Sequence, residues 1–185
     1  RLVSSAASDV YKRQDHISAL NELNKRTNCI RVMGEKSKSE VIDLRIKDGE
    51  KIKVEEVELQ AIYTPGHTDC SYSFLMNDRV FTGDTLLING SGRTDFQNGN
   101  AYDAYDSIFN KLLKLPEKTL VFPAHDYNGK KFSTIENEKN NNPRLQVSSK
   151  EEYADIMNNL NLANPKMMDV AVPANVKGLT LDNIN

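Results

Sequence analysis

The sequence predicts a mixed α/β fold of the α+β kind, and three observations predict it. Short runs of β-branched and apolar residues, punctuated by Gly, Pro and Asp-Gly, recur from Cys29 to Phe122. Stripes of helical period stand at both ends of that β-rich stretch, one after Asp15 and one from Ala104 onward. The chain of 185 residues, 38% hydrophobic and 27% charged, is long enough for one domain with a hydrophobic core and ordinary for a globular protein.

Taken in order, Asp15 is a favourable N-cap for a helix that puts Ile17, Ala19, Leu20 and Leu23 on one face and Asn21, Glu22, Lys25 and Arg26 on the other. Strands are expected over residues 29–33 and 41–46. The Asp48-Gly49 dipeptide should then fold the second of these into a hairpin with residues 52–57. Residues 59–63 lead into T-P-G-H-T at Thr64 to Thr68, and residues 71–76 and 79–82 read as a hairpin delivering Gly83-Asp84. The loop over 86–100 carries Gly90, Gly92 and Gly99. Loops longer than about a dozen residues in compact domains are usually functional, so this one is the expected rim of an active site. Residues 104–115 form a helix with Tyr105, Ile108, Phe109, Leu112 and Leu113 in one stripe and Pro116 after its end. Residues 119–122 read as a buried strand ending on Pro123-Ala124-His125, and Ser149-Lys-Glu-Glu152 is a capping box opening a helix to about Leu160. Residues 137–142 are compositionally biased, and no internal repeat is visible.

Composition narrows the function. A net charge of -2, with no Lys/Arg cluster near the motifs, gives no electrostatic reason to expect nucleic acid, and no stretch reads as a membrane span. A small-molecule substrate fits better. Cys29 and Cys70 are too few and too isolated for a disulfide framework, so they read as reduced thiols packed in the core of a cytoplasmic protein. Residues 1–14 are rich in small residues, lack any period and lack the apolar segment of a signal peptide. They are expected to be a non-native or disordered leader ahead of a domain over 15–185.

The chemistry is read from a few residues. The chain holds three histidines, in Asp15-His16, T-P-G-His67-T and P-A-His125-D. Two of them closely follow a β-run, where a strand end can aim a side chain into a cleft, and Asp84 ends the hairpin between them. Imidazole plus carboxylate with open positions is the ligand set of non-haem Fe(II).

D-H, T-P-G-H-T, F-T-G-D-T-L and P-A-H-D-Y, in this order, resemble the metallo-β-lactamase superfamily. Within it, G-R-T-D-F-Q from Gly92, His125-Asp-Tyr127, Asn142-Pro-Arg144 and A-V-P-A-N ending at Asn175 resemble the persulfide dioxygenase branch. The resemblance implies a four-layer αβ/βα sandwich, incomplete at its N-terminus, where the first strands and the first half of the metal loop are missing. It implies one Fe(II) per chain held by His67 and Asp84, with a third histidine at the position this chain fills with Tyr11. Arg13 stands where the loop's second histidine is expected. It also makes Asp15, His16 and His125 polar support around a vestigial second site. Arg93, Tyr127, Lys130 and Asn175 become donors to glutathione persulfide, although Arg93 could equally pair with Asp95 or Asp126 to hold its loop. The implied reaction takes the persulfide and O2 to sulfite and glutathione, in a homodimer that would be mitochondrial in a eukaryote. Two alternatives stand beside it: a glyoxalase II-like hydroxyacylglutathione hydrolase with two zinc ions, and a non-catalytic thiol-binding domain. With Tyr11 in place of a ligand, the chain Arg1 to Asn185 is expected to be inactive and poorly soluble.

Overall fold

The computed structural model describes residues 2–3, 19–96, 98–126, 128–163 and 168–179. Strands β1 (Leu2–Val3), β2 (Ile30–Gly34) and β3 (Leu44–Ile46) form one sheet with every pairing parallel. A second sheet contains β4 (Lys51–Val54), β5 (Val57–Tyr63), β6 (Tyr72–Leu75) and β7 (Arg79–Gly83). A short hairpin, β8 (Leu86–Leu87) with β9 (Gly90–Ser91), follows. Then β10 (Leu120–Pro123) and β11 (Ser133–Thr134) complete the second sheet in the order β11-β10-β7-β6-β5-β4. The helices are α1 (Leu20–Thr27), α2 (Ala101–Tyr105), α3 (Ile135–Asn141), α4 (Lys150–Asn158) and α5 (Met168–Lys177).

Alternation along the strands sorts the side chains into three apolar clusters, and these define four layers. Val80 and Val121 face outward onto Ala104, Ile108, Leu112, Tyr153 and Met157 of the α2 and α4 side. Their neighbour Phe81 points to the other face, where Ile52, Ala61, Tyr72 and Phe74 meet Val32 and Ile46 of the parallel sheet. Beyond that sheet, Leu20, Met33 and Cys70 pack with Ile42 and with Val176 of α5. The sheets approach closely because β2 ends on a glycine: a Cβ on Gly34 would lie 2.1 Å from the Tyr72 ring. This is the helix–sheet–sheet–helix sandwich that the resemblance implies, and Cys29 and Cys70 are buried in it as thiols outside any disulfide.

Two expectations are corrected. The Asp48-Gly49 turn does not close a hairpin between residues 41–46 and 52–57. Gly49 takes φ +80°, but β3 pairs with β2 while β4 belongs to the other sheet. The bonds Gly49 N–H to Ala61 O (2.8 Å) and Ala61 N–H to Glu50 O (2.8 Å) show why: past the turn, the chain zips directly onto β5. The hairpin is β4–β5, turning at Glu55 with φ +54°. The helix predicted from residue 104 starts at Ala101, because the Asn100 side chain accepts from the N–H groups of Tyr102 (2.8 Å) and Asp103 (3.2 Å). It then widens into a π-type turn over Asp106–Lys111 before a tight 3₁₀ turn at Leu112–Lys114. The Asn-rich stretch, for which no element was predicted, forms most of α3, capped by Thr134. Asp15, the expected N-cap of the first helix, lies outside the described residues, and α1 is capped at Ala19 without a side-chain bond. Of the predicted leader, Leu2–Val3 is described and lies alongside Ile30–Arg31.

Candidate metal centre

β5 and β6 are antiparallel, β6 and β7 are antiparallel, and β7 and β10 are parallel, so β5, β7 and β10 all run the same way. Their carboxyl ends therefore share one edge of the sheet, and the residues that follow them are His67, Asp84 and His125. That topology turns three motifs far apart in sequence into one site.

Each approach to the edge is fixed locally. Gly66 has φ +138°, and a Cβ there would lie 2.3 Å from the Cα of Ala104, so only glycine lets α2 press against the histidine turn. The turn is further held by Asn100 N–H to Gly66 O (2.8 Å) and by Ser107 Oγ to Pro65 O (2.6 Å). Beneath it, the fully buried Thr64 and Thr68 hydroxyls bond Ser73 Oγ (3.0 Å) and Ser71 Oγ (2.7 Å). Gly83, at φ +54°, precedes Asp84 and accepts from Ala124 N–H at 3.0 Å, which ties the His125 end to the Asp84 end.

His67 Nδ1 lies 2.7 Å from the Arg93 carbonyl oxygen. A carbonyl only accepts, so Nδ1 carries a proton, and in its neutral form the ring presents the Nε2 lone pair to the cleft. That Nε2 stands 3.7 Å from Asp84 Oδ2, while His125 Nδ1 stands 3.3 Å from Asp84 Oδ1. The carboxylate thus turns one oxygen toward each histidine. An imidazole nitrogen and a carboxylate oxygen, each about 2.1 Å from a common cation, stand roughly 3 to 4 Å apart, so the His67–Asp84 spacing suits a divalent ion. Both side chains are 13% exposed, and His125 is 34% exposed. Among the described residues, no set of three or more His, Cys, Asp or Glu side chains closes a metal cluster. The other predicted members, Asp15 and His16, and the Tyr11 position lie outside the described residues.

Of the predicted substrate donors, Arg93, Lys130 and Asn175 are among the described residues. Arg93 grips both oxygens of Asp95 at 2.7 Å, donates to the carbonyls of Ala163 (2.8 Å) and Leu162 (3.2 Å), and stacks 4.3 Å above the Phe96 ring. The hydrogen-bonded guanidinium holds the Asp95 carboxyl below its usual range. Lys130 is exposed on the loop after His125. Asp126 Oδ2 pins that loop by accepting from the N–H groups of Asn128 and Lys130, both at 2.8 Å. Asn175 is buried on α5, beside Val176, whose carbonyl accepts from Glu40 N–H at 3.1 Å. Tyr127 lies outside the described residues. Sequence reasoning missed the Arg93 main chain as the partner of His67, and no side-chain pattern could have revealed it. It also missed the buried Glu138, and it read Asn142 and Arg144 only as part of a resembling motif, whereas all three bond the β8–β9 hairpin beside the site.

The model of the metallo-beta-lactamase superfamily matches residues 14–125. The chain belongs to the metallo-beta-lactamase superfamily, a family of metal-binding folds. Within it, the chain is 41% identical over 174 residues to mouse mitochondrial persulfide dioxygenase ETHE1, covering 92% of this chain and 68% of that protein. It is 48% identical over 137 residues to the human one, covering 73% of this chain and 54% of that protein, so it spans little more than half of the human relative. The crystal structure of ETHE1 from Myxococcus xanthus superposes with a TM-score of 0.86 at 47% identity, covering 90% of this chain and 74% of that one. None of the described helices is long and apolar enough to cross a membrane.

Proposed function

We propose that this chain carries the catalytic site of a glutathione persulfide dioxygenase, taking the persulfide, O2 and water to glutathione and sulfite. The observation that supports this over hydroxyacylglutathione hydrolysis is its identity with the mouse and human persulfide dioxygenases. Fe(II) suits the imidazole and carboxylate donors of His67 and Asp84, and when bound it would supply the O2 chemistry that oxidises the outer sulfur. The remaining work belongs to the protein. Arg93 O holds the His67 proton on Nδ1, so that Nε2 is available as a neutral donor. Asp84 brings a negative charge to balance a dication. His125, on the other carboxylate oxygen, orients Asp84 rather than sharing its ion. Tyr127 and Lys130 follow His125 closely in sequence, where they would receive glutathione carboxylates. Arg93, already committed to Asp95 and two carbonyls, supports the site through its main chain.

Tyr11 and Arg13 stand where the resemblance places histidines, which gives a direct test. The double substitution Tyr11→His/Arg13→His is expected to raise iron retention at least tenfold, toward one ion per chain, and to bring oxygen uptake with glutathione persulfide. Adding His67→Ala should abolish both, whereas adding His125→Ala should keep the iron. Two zinc ions per chain with hydrolysis of S-lactoylglutathione would overturn the reading.

A further inference from the structure

The part of the protein that fixes His67 extends well beyond Arg93. The β8–β9 hairpin ends at Ser91, two residues before Arg93, and three of its successive residues have a main-chain group bound to a side chain of the 138–144 segment. Asn89 N–H donates to Glu138 Oε2 at 2.8 Å, Gly90 O accepts from Asn142 Nδ2 at 3.0 Å, and Ser91 O accepts from Arg144. Glu138 and Asn142 are both fully buried and are bonded to each other at 2.8 Å. From this anchored hairpin the chain passes through Gly92, where a Cβ would lie 2.1 Å from Asp84 O and 3.0 Å from His67 Nδ1, and reaches the Arg93 carbonyl on His67. Every link is short and is held by a hydrogen bond or a close contact.

We infer that Glu138 and Asn142 are positioning residues for His67: by clamping Asn89 and Gly90 they hold the Arg93 carbonyl where it fixes the Nδ1–H tautomer. Burying a carboxylate has a high cost that only a full set of donors offsets, and Glu138 has four. Two, Ser133 Oγ at 2.5 Å and Asn137 Nδ2 at 3.1 Å, lie on Oε1 within its own strand–helix unit; the other two lie on Oε2 and face the hairpin. The two oxygens therefore separate a folding role from a positioning role. The importance of this clamp for metal retention rests on the proposed ligand role of His67; its effect on the tautomer does not.

The test is the ¹⁵N spectrum of the metal-free chain at about pH 9, where imidazoles are neutral, in the parent and in Asn142→Ala, Glu138→Gln and Ser133→Ala. The parent and Ser133→Ala are expected to show His67 protonated at Nδ1. Asn142→Ala and Glu138→Gln should show a mixture with Nε2–H, and in the Tyr11→His/Arg13→His background they should weaken Fe(II) binding about tenfold. Ser133→Ala should lower the melting temperature without either change. His67 remaining fully Nδ1–H in both Asn142→Ala and Glu138→Gln would overturn the inference. So would a tautomer shift in Ser133→Ala that tracks its loss of stability. Should Asn142→Ala fail to fold, the near-isosteric Glu138→Gln decides alone. His67→Ala that keeps its iron would refute the ligand reading and leave the tautomer result standing.

Discussion

The site edge of the six-stranded sheet and the segment that joins the two sheets, residues 43–58, use the same local devices in opposite surroundings. Both contain a positive-φ glycine, Gly66 at +138° and Gly49 at +80°. Around Gly66 a Cβ would strike the Ala104 backbone, whereas around Gly49 it would meet nothing within 4 Å. Both regions are laced with polar contacts, but at the site edge these are buried hydroxyls and carbonyls. In the joining segment they are ion pairs near water, such as Lys51–Glu58 at 2.7 Å with both side chains at least half exposed. The contrast shows where this fold keeps its precision. Bonds shielded from water hold geometry, and bonds in water hold little.

The largest effect expected from the comparison is at the two glycines. Gly66→Ala combines an unfavourable φ with a backbone collision and should cost about 3 kcal/mol or more, enough to unfold a marginal domain. Gly49→Ala has only the left-handed conformation to bear and should cost about 1 kcal/mol. Thermal melts of the two variants side by side check this. Similar losses would mean that the close approach of α2 to the histidine turn is not what makes the site edge rigid.

A smaller effect is expected at Tyr153→Phe. Its ring is fully buried between α2 and α4, and its hydroxyl meets Ser91 Oγ at 3.0 Å. Removing that hydroxyl keeps the packing and leaves Ser91 short of one partner, so denaturant titration should show a loss of about 1 to 2 kcal/mol. A comparable loss from Lys51→Met, which breaks an exposed pair, would undo the distinction between shielded and exposed bonds.

How far the sequence alone carries follows the same divide. The turns around His67, Asp84 and His125 were legible because Pro and Gly punctuate the strands just before them, and the β6–β7 hairpin falls within a residue of its expected bounds. The layered fold followed from the resemblance, and the packing of alternating residues such as Val80 and Phe81 accounts for it. The pairing of β3 was not legible: an Asp-Gly dipeptide signals a reversal of the chain but not which strand the chain then meets. Helix α3 was missed because asparagine is a poor helix former. The helix is held instead by the Thr134 cap and by burial of Ile135 and Glu138. A glutamate in an Asn-rich run reads as solvated, yet Glu138 is fully buried, and nothing local marks it. Arg93 was singled out for its side chain, and the contact of its main chain with His67 has no signature in residue type.

The smallest effect expected is at the start of the parallel sheet, where Arg31 and Asp43 join β2 to β3. Arg31 Nε and Nη2 donate to the two Asp43 oxygens at 2.9 and 2.8 Å, and the Arg31 main-chain N–H adds a third bond at 2.8 Å. These bonds, led by that from the guanidinium side chain, lower the Asp43 pKa from 3.8 to about 2. A depressed carboxyl pKa means that the unfolded chain takes up the proton first as pH falls. The stabilisation is therefore complete above about pH 4 and is lost as pH drops through about 2. With the Asp43 side chain 36% exposed, solvent screening should hold the contribution to about 1 kcal/mol or less. Asp43→Asn should accordingly lower stability by that amount at pH 7 and by almost nothing at pH 2. Salt should shrink the difference at pH 7, because an exposed pair is screened where the hydroxyl network under His67 is not. Urea titrations of parent and variant at the two pH values, with and without about 1 M NaCl, measure all three. A loss that persists unchanged at pH 2 and in salt would mean that Asp43 acts there through packing, and that the joining segment is built more like the site edge than its exposure implies.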